Sequence, residues 1–218
     1  MPLREYIIND IKPLQVTDSI DNVQQLFNQL TYSHIPIKKN KIYVGCISEN
    51  DAHCFESNKT IAEYLYVLEG FFVRPQTLWL DVLEAFAQND ANIMPVLDDK
   101  NNYVGYYELN DIISLFNQTP FFSEPGGIII VEKGDNDYSF SEISQIVESN
   151  NAKLLGAFIS KTENDVVQIT LKIGNAGLND IIQSFRRYSY QIVSGHEDDT
   201  FLKTLKERSD YLDKYLNL

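Results

Sequence analysis

The sequence predicts an α+β protein in two parts: two successive βαββα repeats, then a βαββαβ sandwich followed by a helix. Three observations carry that prediction. An apolar-Pro-apolar segment, a Val-Gly strand and an Asn-Asp pair recur at an offset of 59 or 60 residues, as Pro36 and Pro95, Gly45 and Gly105, Asp51 and Asp111. Apolar residues keep helical spacing ahead of each Pro-containing strand. Beyond a stretch bounded by Pro120 and Pro125 the repeat stops, and β-branched runs alternate with new helical patterns.

The first repeat begins with a short strand over 15–18. Ile20, Val23 and Phe27 follow at i, i+3 and i+7, one face of a helix that Ser19 or Asp21 can start. Trp79, Val82 and Phe86 restate that face 59 residues later. Phe27, Trp79 and Phe86 are read as core. Strands follow at 35–37 and 94–97, a polar turn, and strands at 43–47 and 103–107. One residue inserted in the second turn accounts for the step from 59 to 60. A second helix starts near Asp51 and Asp111, short or irregular in the first copy. Residues 58–70 join the repeats, with 61–65 helical. One copy of about 50 residues buries too little apolar surface to stand alone. Two copies packed sheet to sheet would share one core and leave clefts between them.

Residues 119–125 read as a linker, because Pro interrupts regular structure. Next, 127–132 is a buried β-branched strand and 134–137 a turn. Ser139 or Ser141 caps a helix to Asn150 with Phe140, Ile143 and Val147 inward. A strand over 153–161, a hairpin loop over 162–165 and an alternating strand over 166–173 follow. Gly174 and Gly177 flank a break. A helix over 178–188 turns Ile181, Ile182 and Phe185 inward, and 190–194 is the last strand. The tail, 198–218, reads as a helix with Phe201, Leu205, Leu212 and Leu216 on one stripe, to cover the sandwich or cross to a second subunit. The domain reading is therefore 1–118 (repeats about 1–58 and 59–118), a linker over 119–125, a sandwich over 126–196 and a terminal helix over 197–218.

The doubled unit, with its apolar-Pro-apolar strands and the Gly45-Cys46-Ile47-Ser48-Glu49-Asn50-Asp51 segment, resembles a CBS-domain pair, or Bateman module, over roughly residues 1–118. The βαββαβ order appended to it resembles an ACT domain. The whole chain resembles the acetoin-utilisation-type CBS–ACT proteins.

The resemblance implies an adenosyl ligand. AMP, ATP and S-adenosylmethionine are the candidate regulatory ligands, and no cofactor is required. Ser48 and Asp51 straddle a helix start, where free N–H groups favour a phosphate. The Asp51 carboxylate can accept from vicinal ribose hydroxyls, with Ser48 near phosphate, as the family arrangement implies. His34 offers a basic contact to phosphate, and Pro36 and Asn50 belong to the same set. Val16 and Thr17 offer backbone groups to a base edge. In the second copy Asp111 is retained, Glu108 replaces the Ser or Thr and would repel phosphate, and Ile93 stands where His34 does. That cleft is expected to bind no nucleotide phosphate, or a nucleoside only. Each residue also has a plainer reading: Ser48, Asp51 and Asp111 as helix caps, His34 as an ordinary strand residue, Gly45 and Gly105 as sheet requirements. In the sandwich, the first strand–helix loop, where ACT domains commonly bind amino acids, holds Asp135 and Asp137, which would repel an α-carboxylate. A purely structural or dimerising role for that fold is the expectation there.

The 218 residues are 44% apolar, enough for a core, and carry a formal charge of −13. That charge argues against binding nucleic acid or an anionic membrane. No apolar run approaches a membrane span and no signal peptide opens the chain, so a cytoplasmic location is expected. Two cysteines make no disulfide framework, and His53 beside Cys54 are adjacent helical residues that do not face each other. No catalytic constellation or metal spacing stands out, so no enzyme is expected. The partners expected are a second copy, since paired CBS modules often stack into a disc, and an unidentified regulated protein. The leading reading is a regulatory sensor that relays ligand binding to the ACT-like domain. The alternative is a structural or interaction protein whose clefts stay empty and whose folds serve homodimerisation.

Overall fold

The computed structural model describes residues 3–174 and 177–194. The chain divides into two compact units, with the boundary between Phe116 and Asn117.

In the first unit a 3-10 helix, Leu3–Tyr6, precedes the first repeat. Strand β1 (Leu14–Gln15) runs parallel to β2 (His34–Lys39), which pairs antiparallel with β3 (Ile42–Ser48). Helix α1 (Ile20–Phe27) joins β1 to β2. It starts where the Ser19 hydroxyl accepts from the Asn22 N–H, and it buries Ile20, Val23 and Phe27 as its spacing predicts. Helix α2 (Glu49–Cys54) follows, short as expected, and the joining segment holds a 3-10 helix, Ile61–Val67. The second repeat supplies α3 (Trp79–Gln88), β4 (Ile93–Leu97), β5 (Tyr103–Glu108) and α4 (Leu109–Ser114). In place of β1 it has one parallel bridge, Val73 to Val96, 59 residues on from Leu14 and Ile37. Both hairpins carry a bulge at the matched place, beside Gly45 and Gly105. Trp79, read as core, is half-buried and packs against the edge of the second-repeat cluster, its ring edge-on to Phe116 at 4.8 Å.

The repeats are interwoven. Ile8 exchanges both backbone hydrogen bonds with Tyr106 of β5, and Glu69 exchanges both with Cys46 of β3. The segment before each repeat thus pairs with the last strand of the other. Gly45 and Gly105 lie under these incoming segments, so the sheet, not a ligand, requires them. The expected shared core is instead two clusters, one centred on each repeat, with Tyr43 and Cys46 of the first contributing to the second. Polar groups occupy the seam. The Ser33 N–H donates to Asn92 Oδ1 (2.8 Å) and the Asn92 N–H to Ser33 Oγ (3.0 Å), two matched positions facing each other. Both residues are half-buried, and each meets the other's polar groups along this line.

In the second unit the stretch read as a linker contains a one-turn helix, α5 (Pro120–Ser123). Pro fits there because the first turn needs no N–H from it. Then come β6 (Gly126–Gly134), α6 (Phe140–Ser149), β7 (Leu154–Glu163), β8 (Val166–Gly174), α7 (Leu178–Arg187) and β9 (Gln191–Ser194). The sheet order is β7-β8-β6-β9 with every pair antiparallel, the ferredoxin-like split-βαβ arrangement the sequence predicts. Ile143, Ile146, Val147, Ile181, Ile182 and Phe185 pack the helices onto Ile129, Val131, Val167, Ile169, Leu171 and Ile173. Phe140, read as inward, is 41% exposed: it is the first residue of α6, capped by Ser139, and its ring turns to Tyr138. Lys172, on the opposite face of β8, is nonetheless buried, its Nζ donating to the Gly126 carbonyl at 3.2 Å. The expected terminal helix lies outside the described residues.

The Lys133 ammonium donates to Glu142 Oε2 at 2.8 Å and stands 4.2 Å from the Tyr190 ring centre. That hydrogen bond holds the Glu142 carboxyl below its ordinary range. A carboxyl depressed in the folded state stabilises above its unfolded pKa and loses that contribution as pH falls through the depressed value. Urea unfolding at stepped pH is therefore expected to show stability falling below the ordinary glutamate range. Lys133→Met should flatten that limb; an unchanged slope would remove this pair from the acid response.

Candidate functional site

The start of β2, the end of β3 and the turn after α3 enclose a cleft of about 350 Å³ in the first unit. Its walls are Ser33, His34, Ser48, Glu49, Asn50, Glu69, Asn89 and Asp90. His34 is 5% exposed. Its Nδ1 lies 2.8 Å from Ser33 Oγ and its Nε2 3.4 Å from Glu69 Oε1, with the ring edge-on to Phe71 at 5.1 Å. The imidazole expected to meet a phosphate therefore faces a carboxylate. Glu49, Glu69 and Asp90 add three negative charges to the walls, and no Lys or Arg stands among them.

Of the sequence-derived candidates, His34, Ser48 and Asn50 line this cleft. Asp51 is half-buried beside it, bonded to Ser48: the serine hydroxyl donates to Asp51 Oδ2 (2.9 Å) and accepts from the Asp51 N–H (3.1 Å). That is the capping arrangement at the start of α2. Pro36 and Val16 are buried and Thr17 is exposed, all three outside the walls, as is Asp111 in the first turn of α4. Ser33, Glu49, Glu69, Asn89 and Asp90 are wall residues that the motif reading missed. Glu69 reaches the site through its backbone pairing with Cys46, a long-range register with no local signal. Asp90 has φ +45°, a conformation that Asp tolerates better than most residues, and this turn brings it to the cleft from the second repeat.

The matched place in the second repeat is different. There the Tyr32 hydroxyl donates to Glu108, the Tyr106 hydroxyl donates to Asp10, and the two hydroxyls stand 3.2 Å apart. Burial first, then the hydrogen bonds to carboxylates, push both phenols above their ordinary range. Cys46 is buried, and burial pushes its thiol up to about 12, so it is a protonated core residue at neutral pH. Among the described residues no group of three or more His, Cys, Asp or Glu could hold a metal ion, and no helix is long and apolar enough to cross a membrane.

The CBS domain family matches residues 69–117, the second repeat. No curated protein matches the chain in sequence. Among solved structures, a CBS domain pair/ACT domain protein from Thermotoga maritima is similar at 15% identity and a TM-score of 0.50, over 54% of this chain and 98% of that one. The CBS domains of a transcriptional regulator from Streptococcus pneumoniae are similar at 18% identity and a TM-score of 0.47, over 52% and 98%. The family match falls on the second repeat, and the structural similarity to the Thermotoga maritima protein is about as long as both repeats together. The first unit therefore has the fold of a CBS-domain pair.

Proposed function

We propose that the first unit is a regulatory module whose open cleft takes an adenosyl ligand with a neutral or cationic tail, and that the second unit receives the resulting change. The cleft itself carries this reading: polar side chains of both repeats converge on a hollow at the seam of a doubled fold. Asn50 and Ser48 offer hydrogen bonds suited to sugar hydroxyls and base edges. The carboxylates of Glu49, Glu69 and Asp90 disfavour a polyphosphate and suit adenosine or the sulfonium of S-adenosylmethionine. A ligand touching wall residues from both repeats would shift the balance between their arrangements in proportion to its differential contacts. A homodimer, the assembly the resemblance implies, is part of the same reading.

Thermal unfolding with adenosine, S-adenosylmethionine, AMP and ATP tests it. The first two are expected to raise the midpoint, ATP least of the four. Asn50 is exposed, so Asn50→Ala should keep the baseline midpoint and lose most of the ligand shift. If none of the four raises the midpoint at millimolar concentration, the sensor reading fails and the scaffold alternative stands.

A further inference from the structure

The internal repeat pairs Ser48, a wall of the open cleft, with Glu108, and Cys46 of the strand beneath with Tyr106; Ile8, bonded to Tyr106, stands where Glu69, bonded to Cys46, does, and Asp10 follows two residues on. At that second place the matched residues are not idle. Glu108 and Asp10 each accept a hydrogen bond from a phenol, and the two phenol rings meet edge to face at 5.6 Å. Tyr106 belongs to β5 itself. Tyr32 arrives from the other repeat, from the turn before β2. The residue matching Tyr32 in the second copy is Ala91, whose methyl group is too short to reach across. One repeat position, Tyr in one copy and Ala in the other, thus accompanies a filled site on one side and an open cleft on the other.

We infer that the second cleft is a built binding site for a phenol and that this chain's own Tyr32 is its occupant. The site's chemistry is specific. Asp10 is met by the Tyr106 hydroxyl, which leaves the Glu108 carboxylate, an acceptor only, so the occupant must bring a hydrogen-bond donor, as Tyr32 does. The Tyr106 ring offers its face or edge to a second aromatic ring. A phosphate is repelled by both carboxylates. Deleting the Tyr32 side chain opens a place beside the Tyr106 ring and frees the Glu108 acceptor, which a small phenol fits and a plain arene fits less well. This inference stands apart from the adenosyl reading, because it concerns the other cleft and does not require the open one to bind anything.

The test uses the full chain. Tyr32→Ala is expected to unfold at a lower temperature than the parent. p-Cresol at millimolar concentration should raise its midpoint and bind at one per chain by calorimetry. Toluene should raise it less, and the parent protein should respond to neither. Tyr32→Phe keeps the ring and loses only the hydroxyl; its midpoint should drop by about 2–4 °C with no response to p-cresol. The inference is overturned if Tyr32→Ala folds and ignores p-cresol, if the parent responds equally, or if Tyr32→Phe unfolds at the parent's temperature.

Discussion

Replacing Gly105 by alanine is expected to destabilise the protein by about 1–3 kcal/mol, the usual range for overpacking. A Cβ on Gly105 would lie 2.4 Å from the Ile8 carbonyl oxygen and 2.6 Å from the Ile7 side chain. The oxygen belongs to backbone that is itself bonded to Tyr106, so it cannot rotate away as a side-chain tip would. Either the Ile8–Tyr106 pairing opens or β5 shifts, and both disturb the phenol chain that starts at Asp10. Gly45→Ala is the matched experiment. There a Cβ would meet the Leu68 Cβ at 2.9 Å, and the backbone has φ +142°, which an alanine rarely adopts. Equilibrium urea unfolding measures both. Midpoints equal to the parent's for both variants would mean that the incoming segments are not held as described.

Phe185→Ala should cost more, about 3–5 kcal/mol, the range for removing a buried aromatic side chain. Phe185 is fully buried on α7, packs edge-on to Tyr190 at 5.4 Å and lies in the apolar layer between both helices and the sheet. Its removal leaves a void the surrounding β-branched residues are too stiff to refill. Phe185→Leu should recover most of the loss. Denaturant unfolding followed by far-UV circular dichroism reads the difference. A loss below 1 kcal/mol for the alanine variant would place this ring outside the core.

The contrast between what the sequence shows and what it hides follows from range. Helix faces such as Ile20, Val23 and Phe27 are written in local spacing, and so is the alternation of Val167, Ile169, Leu171 and Ile173; both were legible and both are buried. The repeat offset made the doubled architecture legible too. Element ends were less so: Phe140 obeys the helical period of α6 but sits at its first residue, where nothing lies below it to pack against. The site was half legible. Ser48 and His34 stand in motif segments and reach the cleft, but Ser48 and Asp51 satisfy each other, a competition between capping and binding that spacing cannot decide. Glu69 and Asp90 come to the walls through pairing and turn geometry set by distant chain. Tyr32 lies one residue before the matched pair Ser33 and Asn92, and only the comparison of its surroundings with those of Ala91 exposes its role.

The crossing of the two incoming segments bears on biogenesis. Asp10 and Tyr106 are 96 residues apart, yet they close one hydrogen-bonded chain. At translation speeds of about 5–20 residues per second, the segment around Asp10 waits roughly 5–20 s on the ribosome before its partner is made. Through that interval the segment around Ile8 has no partner, because β5, to which it bonds, belongs to the second repeat. Chaperone occupancy on stalled nascent chains should therefore peak before residue 106 emerges and fall after it.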